Sequence, residues 1–510
     1  MRRFGKLLFL VLSGAAAAPA QMVSAPTPQP QAIVLPASGR SGLGGSATVA
    51  QQPVAGATSS VNTLNPSVQV SGPYGGSVAG SESSPFSGKL SFGDAIRRGL
   101  AYNLGPVGLR NAARQTKAQE GVARSSLLPN VNGTLSETVQ QTNLAALGFR
   151  ISVPGFHIPT VVGPYNYFDL QVSLSQMVAN LTSIQNFRAA RDTARAGEYT
   201  LKDARDLVVL AVGGAYLQVG AAQARLDAEQ AQLDTANAIL HRSVEQHAAG
   251  VLGKLNVDQN QVRALTEQQR LITLRNDLAK QKINLARLVG LPVSAPYELT
   301  DNFAFQPVPV EGVEQAVAAA EQHRPDLHAA QLQVEAAEKA VSAARAERLP
   351  SLSVSANYGV IGLNPSQAHN AYAAVGTLNI PVWQGGRASA DIAQAEAVLA
   401  QRRAELADTR GQIEAQIRQA YLDLDAAAGQ VEVARKNLEV AREALDMSRT
   451  RMEAGVINTV EVVQAQETVA SANLDLINSI FAHNLAKLNL ARAMGNAEAQ
   501  VGTLLPTARP

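Results

Sequence analysis

The sequence predicts a mainly α-helical protein that also has membrane β-strands, built from a unit of helix, strand pair and long helical hairpin that occurs twice. Three observations predict this architecture. Short motifs recur at a fixed distance along the chain, several segments alternate apolar and polar residues, and two long proline-free segments have helical spacing. With 510 residues, the chain is long enough to bury a large core.

The first twenty residues have the features of a secretory signal. Basic residues precede position 7, an apolar stretch covers residues 7–12, and small residues occupy positions 18–20, where a signal would be cleaved. The alternative, a short N-terminal membrane anchor, is disfavoured because the apolar stretch is shorter than the ~20 residues that a spanning helix needs. We therefore expect residues 1–20 to be a signal peptide.

Charge and cysteine content exclude several classes of protein. Lys and Arg number 43 against 41 for Asp and Glu, so we expect no nucleic-acid partner. The chain has no cysteine, which excludes disulfides and thiolate metal sites. After the signal, no segment has about 18 consecutive apolar residues, so we expect no transmembrane helix, and a membrane-spanning part would have to be a β-barrel.

Residues 21–88 are predicted to form a disordered leader. They contain eight prolines and only two charged residues, Arg40 and Glu82, among many Gly, Ser, Ala and Gln residues. Such a composition buries too little apolar surface to offset the entropy lost on ordering. A cell-wall or surface tether is the alternative interpretation of this segment.

Four short motifs recur farther along the chain and indicate a duplication. The pairs are 284–287 and 489–492, 216–217 and 421–422, 250–251 and 455–456, and 128–129 and 349–350. The first three pairs share one offset, whereas the offset of the last pair is larger. The first copy therefore has additional residues, which we place between its strands. The predicted divisions are a first repeat (89–290), a linker (291–311), a second repeat (312–495) and a C-terminal tail (496–510).

Each copy begins with a helical stretch, over 91–127 and 312–347, that ends at a Leu-Pro dipeptide. Apolar and polar residues then alternate, which predicts strands. The strands are predicted around 131–139 and 168–174 in the first copy, and around 352–360 and 372–382 in the second. Each is about 9 to 12 residues long, near the length of a tilted membrane strand. A soluble sheet with one wet face is the alternative.

The longest predicted elements are two helices, 181–248 and 386–453, each followed by a returning helix. Both lack proline, and small or apolar residues step along them by threes and fours, as in coiled coils. Such a helix would extend roughly 100 Å at ~1.5 Å per residue, which suits a wall of laterally packed helices better than a globular core. Gly213-Gly214 is expected to bend or loosen the first helix.

The order of these elements and their duplication resemble the TolC-like outer membrane efflux proteins. The resemblance covers about residues 90–495 and is carried by four stretches, 90–96, 349–352, 380–386 and 451–456. It implies a homotrimer in which each chain lends four strands to a 12-stranded β-barrel, continued by a periplasmic α-helical barrel. Physical reasoning agrees, because four strands cannot close a membrane barrel and sister chains must complete their edges.

The resemblance also implies a function and its partners. The protein would be the outer membrane exit duct of a tripartite efflux or type I secretion system, and a passive conduit for drugs, small molecules or polypeptides. Its partners would be a periplasmic adaptor protein, an inner membrane pump and outer membrane lipid. The competing hypothesis is a structural coiled-coil or adhesin-like envelope protein that has no pore.

Two sets of site residues follow from the resemblance. The turns between the long helices, where an adaptor would dock, correspond to Gly250, Val251, Leu252, Gly455, Val456 and Ile457. Glu461 corresponds to the first acidic side chain of the pore constriction, whereas Gln464 stands where a second acid is expected, which weakens the predicted acidic ring. The alternatives are plain hairpin turns without a partner and a solvated surface glutamate.

The sequence has no recognisable enzymatic, metal or cofactor motif. His241 and His247 are six positions apart, which does not suit the i, i+4 spacing of a helical metal pair. Neither Gly213-Gly214 nor Gly385-Gly386 leads into the Gly-Lys-Ser/Thr of a phosphate loop. We therefore expect no catalysis, no cofactor and no metal.

Overall fold

The computed structural model describes residues 45–51, 66–78, 86, 88–146, 148, 159–301, 304–307, 312–454, 456 and 459–504. The predicted signal peptide, residues 1–20, lies outside them. The elements up to the end of the first repeat are β1 (Ser46–Gln51), β2 (Pro66–Ser71), a 3-10 helix (Gly72–Gly75), β3 (Lys89–Leu90), α1 (Phe92–Tyr102), α2 (Leu104–Ser125), β4 (Asn130–Asn143), β5 (Val161–Ala179), α3 (Leu181–Ala248) and α4 (Lys254–Val289).

The linker and the second repeat continue the same plan. Their elements are β6 (Glu298–Leu299), α5 (Val313–His323), α6 (Pro325–Ala346), β7 (Ser351–Gly362), a second 3-10 helix (Pro365–Gln367), β8 (His369–Asn379), α7 (Arg387–Glu453), α8 (Thr459–Ala493) and α9 (Ala497–Leu504).

The two repeats share a backbone plan at the predicted spacing. The offset of the Leu-Pro pair also carries α1 onto α5, α2 onto α6 and the first residue of β4 onto the first residue of β7. The smaller offset of the other motif pairs carries the end of α3 onto the end of α7. The extra residues of the first copy therefore lie in its strand pair, where β4 and β5 have 14 and 19 residues against 12 and 11 in β7 and β8.

Both repeats break their first helix at an equivalent residue, whereas the sequence predicted one uninterrupted stretch in each. Asn103 (φ −62°, ψ 137°) separates α1 from α2, and Arg324 (φ −67°, ψ 120°) separates α5 from α6. Pro325 disfavours a helical conformation of the residue before it. In the first repeat the Asn103 side chain caps α2 by accepting a hydrogen bond of 2.9 Å from the Gly105 N–H.

The four long strands form one antiparallel sheet in the order β4-β5-β7-β8, which confirms the predicted strands. Residues paired in register share a face. One face is apolar and includes Val131, Leu135, Leu170, Val172, Leu174, Val354, Tyr358, Val360, Tyr372 and Leu378. The opposite face is polar and includes Asn132, Thr134, Ser136, Asp169, Gln171, Ser173, Ser355 and Asn357. Within the described part of the chain, the outer strands β4 and β8 each have one neighbour only.

The long helices have the predicted bounds. The 68 residues of α3 begin and end where the sequence predicts, and α7 has 67 residues. α4 packs along α3, and α8 packs along α7. α3 continues as one helix through Gly213 and Gly214, whose missing side chains make room for neighbours. A Cβ atom at Gly213 would lie 2.9 Å from Leu488 Cδ1, and one at Gly214 would collide with Val68.

The prediction of a disordered leader is wrong for residues 46–51 and 66–75. β1 and β2 pair antiparallel, and the apolar side chains of Val49, Val68 and Tyr74 pack on the core around α3. The many prolines and small polar residues of the leader concealed these short apolar runs. Beyond the repeats, β6 in the linker pairs with β3, and α9 lies within the predicted tail.

One helix among the described residues is long and apolar enough to cross a membrane. It is α3, and 67% of its apolar 18-residue window is buried inside the protein. Such burial is typical of the core helix of a folded domain.

Candidate functional site

The turn between α3 and α4 is a compact reversal at the far end of the first hairpin. Gly250 has φ +76°, a left-handed conformation that glycine adopts without strain, and it follows the last residues of α3. The Val251 N–H donates to the Gln246 carbonyl at 2.9 Å, and His247 Nδ1 lies 2.7 Å from the Leu252 carbonyl oxygen. The first of these bonds satisfies a carbonyl that the end of the helix leaves open.

The described part of the second hairpin turn has a hydrogen bond equivalent to one in the first turn. The Val456 N–H donates to the Arg451 carbonyl at 2.9 Å, in the same pattern as Val251 and Gln246. Gly455 and Ile457 lie outside the described residues. Val251 and Val456 are 78% and 66% exposed, so each turn presents an apolar side chain that a partner protein can cover.

Glu461 and Gln464 lie one turn apart near the start of α8 and are both exposed. They share a face of the helix, because residues three positions apart are neighbours on its surface. Val462 and Gln466 lie on a different face, which is buried. The structure therefore brings the two predicted constriction residues together on an open face.

A groove of about 310 Å³ runs between the first turns of α4 and α8, and the sequence did not reveal it. Its lining combines valines with charged groups and includes Val262, Arg263, Glu267, Arg270, Val460, Val463 and Glu467. Arg263 Nη1 donates across the groove to the Val463 carbonyl at 3.4 Å. Arg263 and Arg270 are one heptad apart and lie on one face of α4, a spacing that by itself does not indicate a groove.

A pair of carboxyl groups is buried between α3 and α4, several helical turns away from Gly250. Glu229 and Glu267 are 6% and 5% exposed, and Arg270 Nη1 donates to Glu267 Oε2 at 3.0 Å. Burial raises the pKa of Glu229 to about 7, with further contributions from the hydrogen bond and the charge of Glu267. Sequence reasoning missed this pair because its members are far apart in the chain, on different helices.

The two histidines of α3 have ordinary neighbours. His241 Nδ1 lies 3.3 Å from the carboxylate of Glu245, one turn away, and His247 contacts the carbonyl of Leu252. These contacts satisfy both rings locally.

Comparison with known proteins places these features in a family. The family model described as outer membrane efflux protein matches residues 109–291 and 316–496. The pyoverdine export outer membrane protein OpmQ of Pseudomonas aeruginosa is 27% identical over 247 residues, which cover 48% of this chain and 50% of that protein. The OpmQ protein of Pseudomonas putida is 25% identical over 311 residues, or 59% and 63% of the two chains. The chain thus spans about half to three fifths of these relatives.

Solved structures have the same fold. The CmeC outer membrane channel of Campylobacter jejuni superimposes with a TM-score of 0.71 at 16% identity, over 80% of this chain and 86% of that one. The outer membrane protein VceC of Vibrio cholerae has a TM-score of 0.67 at 19% identity, over 79% and 96% of the two chains.

Proposed function

The chain belongs to the outer membrane efflux protein family, and we propose that it is the passive exit duct of a tripartite efflux or type I secretion system. Its place is the outer membrane, with the long helices extending into the periplasm. In this proposal three chains together form a 12-stranded β-barrel and an α-helical tunnel. The cargo comprises drugs, other small molecules or polypeptides, and a partner pump supplies the energy.

The observation that carries the proposal is the incomplete sheet. β4 and β8 each lack a second neighbour among the described residues, and the apolar face of the sheet exposes large side chains such as Leu135 and Tyr372. In lipid, every unpaired backbone group costs free energy, so such a sheet is stable only when its edges are closed. Pairing β8 of one chain with β4 of the next closes them.

The helices support the same assembly. α4 and α7 each expose apolar side chains in the single chain, at spacings of 3, 7 or 11 residues that keep them on one side of the helix. On α4 these include Leu255, Val262, Leu265 and Ile272, and on α7 they include Leu422, Val433, Val440 and Met447. Such spacing is typical of helices that pack laterally against further helices. Neighbouring chains would cover these side chains and close the tunnel.

The proposed docking site for the adaptor is the pair of hairpin turns, Gly250 to Leu252 and Gly455 to Ile457. The exposed Val251 and Val456 support this assignment, because exposed apolar side chains at a repeated turn suit a protein partner better than open water. Three chains would present six such turns around the periplasmic end. Plain turns without a partner would leave these side chains in water.

Cross-linking tests the assembly directly, because the chain has no cysteine of its own. Thr134→Cys on β4 is combined in turn with Ala371→Cys, Ala373→Cys or Val375→Cys on β8, all on the polar face. We expect oxidation of outer membrane fractions to yield covalent trimers for the β8 position that lies in register. The matched control is Ser175→Cys with Ser355→Cys, which are paired within one chain and should leave it monomeric on a denaturing gel.

A soluble monomer in the periplasm, with no interchain cross-link for any of the three pairs, would overturn the proposal. Bilayer recording separates it from the structural coiled-coil or adhesin-like alternative, because a strut without a pore gives no discrete conductance steps.

The proposed constriction residues have a sharper test. If three copies of Glu461 face the pore, Glu461→Gln should lower the cation preference or the block by divalent cations about twofold or more. Glu467→Gln is the matched control, since Glu467 lies on the same helix but lines the groove beside α4. If both variants had the same ion selectivity as the wild type, the proposal that Glu461 lines the pore would be wrong.

A further inference from the structure

The four long strands carry ionisable side chains at very few positions. The acidic, Lys, Arg or His side chains of β4, β5, β7 and β8 are those of Glu137, Asp169 and His369 only. The pairing register places the two carboxylates on opposite faces of the sheet. Glu137 pairs with Phe168 on the apolar face, whereas Asp169 pairs with Ser136 and with Ile361 on the polar face.

Hydrogen bonds hold Asp169 in position on the polar face. Gln171 Nε2 donates to Asp169 Oδ2 at 3.0 Å, and Asn357 Nδ2 of β7 donates to Gln171 Oε1 at 3.2 Å. The neighbouring position on β7 is Gly359, where a Cβ atom would lie 2.8 Å from Gln171 Cγ. The missing side chain therefore leaves room for Gln171 to lie across the strands and support the carboxylate.

The other carboxylate oxygen of Asp169 is not engaged by a described group. Asp169 Oδ1 is covered by neighbouring atoms, and it has no hydrogen-bond partner within the part of the chain that the structure describes. No described hydrogen bond draws this oxygen away from the polar face, so the carboxylate group as a whole places a negative charge on that face.

We propose that Asp169 is a specificity-determining residue that favours hydrated cations in the lumen of the barrel. The inference rests on the proposed function, because the polar face becomes the lumen only when three sheets close with their apolar faces toward lipid. Threefold symmetry then places three Asp169 side chains at one level of the pore. A ring of carboxylates attracts cations and repels anions.

Glu137 supplies a control within the same sheet. It lies at the same level as Asp169, since it pairs with the adjacent residue Phe168, but it points to the lipid side. There Asn166 Nδ2 donates to Glu137 Oε1 at 3.3 Å. Neutralising Glu137 removes the same charge from the same level of the barrel without changing the lumen.

The experiment uses the full-length protein in planar bilayers under a salt gradient, at about pH 8, where ordinary imidazoles are neutral. Asp169→Cys, Asp169→Asn and Glu137→Cys are each recorded in the wild-type and Glu461→Gln backgrounds, so that the periplasmic constriction does not mask the barrel. Because the chain has no native cysteine, an anionic or a cationic thiol reagent added from the extracellular side reacts only at the introduced position.

We expect Asp169→Asn and Asp169→Cys to lower the cation-to-anion permeability ratio about twofold or more. The anionic reagent should restore the ratio of Asp169→Cys, and the cationic reagent should lower it further. Glu137→Cys should keep the wild-type ratio before and after either reagent. An unchanged ratio in all Asp169 variants, with wild-type conductance steps present, overturns the inference and leaves the proposed function standing. Absence of conductance in the wild type would instead overturn the proposed function.

Discussion

The two long hairpins have the same backbone plan but are held together differently. In the α3–α4 hairpin, Glu229 and Glu267 are buried against each other. At the equivalent positions of the second copy, the α7–α8 hairpin has Ala434 and Ala472, also buried. Leu438 and Ala441 pack with Ala472 in an apolar cluster there. The duplicated backbone thus tolerates a polar layer in one hairpin and an apolar layer in the other.

A second difference lies near the midpoints of α3 and α7. Gly213 and Gly214 of α3 are buried under Val68, Leu485 and Leu488. Their equivalents on α7 are Arg418 and Gln419, both exposed, and Arg418 pairs with Glu414 and Glu314 at the surface. The N-terminal strands cover α3 at these positions, whereas the equivalent positions of α7 face solvent. The surroundings, rather than the helix itself, therefore decide which residues each copy carries.

The largest expected effect comes from the apolar layer of the second hairpin. Leu438→Ala deletes a buried side chain and leaves a cavity, so it should destabilise the α7–α8 hairpin by about 2–4 kcal/mol. Leu233→Ala, the equivalent change in the half-buried position of α3, should cost less. Amide hydrogen exchange of the two hairpins measures both effects. Equal losses of stability in the two variants would contradict the view that the leucine is more important in the second hairpin.

The next effect concerns the glycine pair. Gly214→Ala raises helix propensity, but its Cβ would collide with Val68. We expect the collision to dominate and to loosen β1 and β2 by about 1–3 kcal/mol, measured as faster proteolysis near residues 66–75. Adding Val68→Ala should restore protection, and Gln419→Ala on α7 should have no effect. If Gly214→Ala instead stabilised the protein, β2 would have shifted to accommodate the new methyl group with no loss of free energy.

The smallest effect is the pH dependence of the polar layer. The pKa of Glu229 is about 7 in the folded protein, above its usual value, so the folded state retains a proton that the unfolded chain releases. Stability of the α3–α4 hairpin is therefore fully present below about pH 4.5 and is lost as pH rises through about 7.

Glu229→Gln should remove most of this dependence, because the amide does not titrate. Glu432→Gln, at an exposed acid of α7, should leave it unchanged. Thermal unfolding of the detergent-solubilised protein at several pH values gives the comparison. An α3–α4 hairpin whose stability rises with pH would contradict the predicted direction of the pH dependence.

Regular elements could be predicted from the sequence because their pattern is local. The bounds of α3, the near-complete bounds of α7 and the four strands follow from proline-free helical spacing and from alternation. Pro325 also offered a local signal for the break between α5 and α6. The break at Asn103 depends in addition on Tyr74, whose carbonyl accepts a hydrogen bond of 2.8 Å from Asn103 Nδ2.

Features that depend on distant residues could not be predicted in this way. β1 and β2 are ordered because α3 offers Gly214 as a place to pack, which no property of residues 46–71 indicates. The Glu229–Glu267 pair and the groove beside α8 likewise join different helices. The turn residues and Glu461 came from family resemblance, and their roles in docking and conduction stay predictions.

The core around Gly213 and Gly214 has a consequence for the order in which the molecule is completed. It takes Val68 from near the start of the chain and Leu488 from near its end. Secretion delivers the polypeptide from its N-terminus, so this core cannot close until Leu488 has crossed the inner membrane. Until then the valines of α3 are open to chaperones and proteases. A chain that ends before Leu488 therefore lacks one side of this core, and its α3 valines stay exposed.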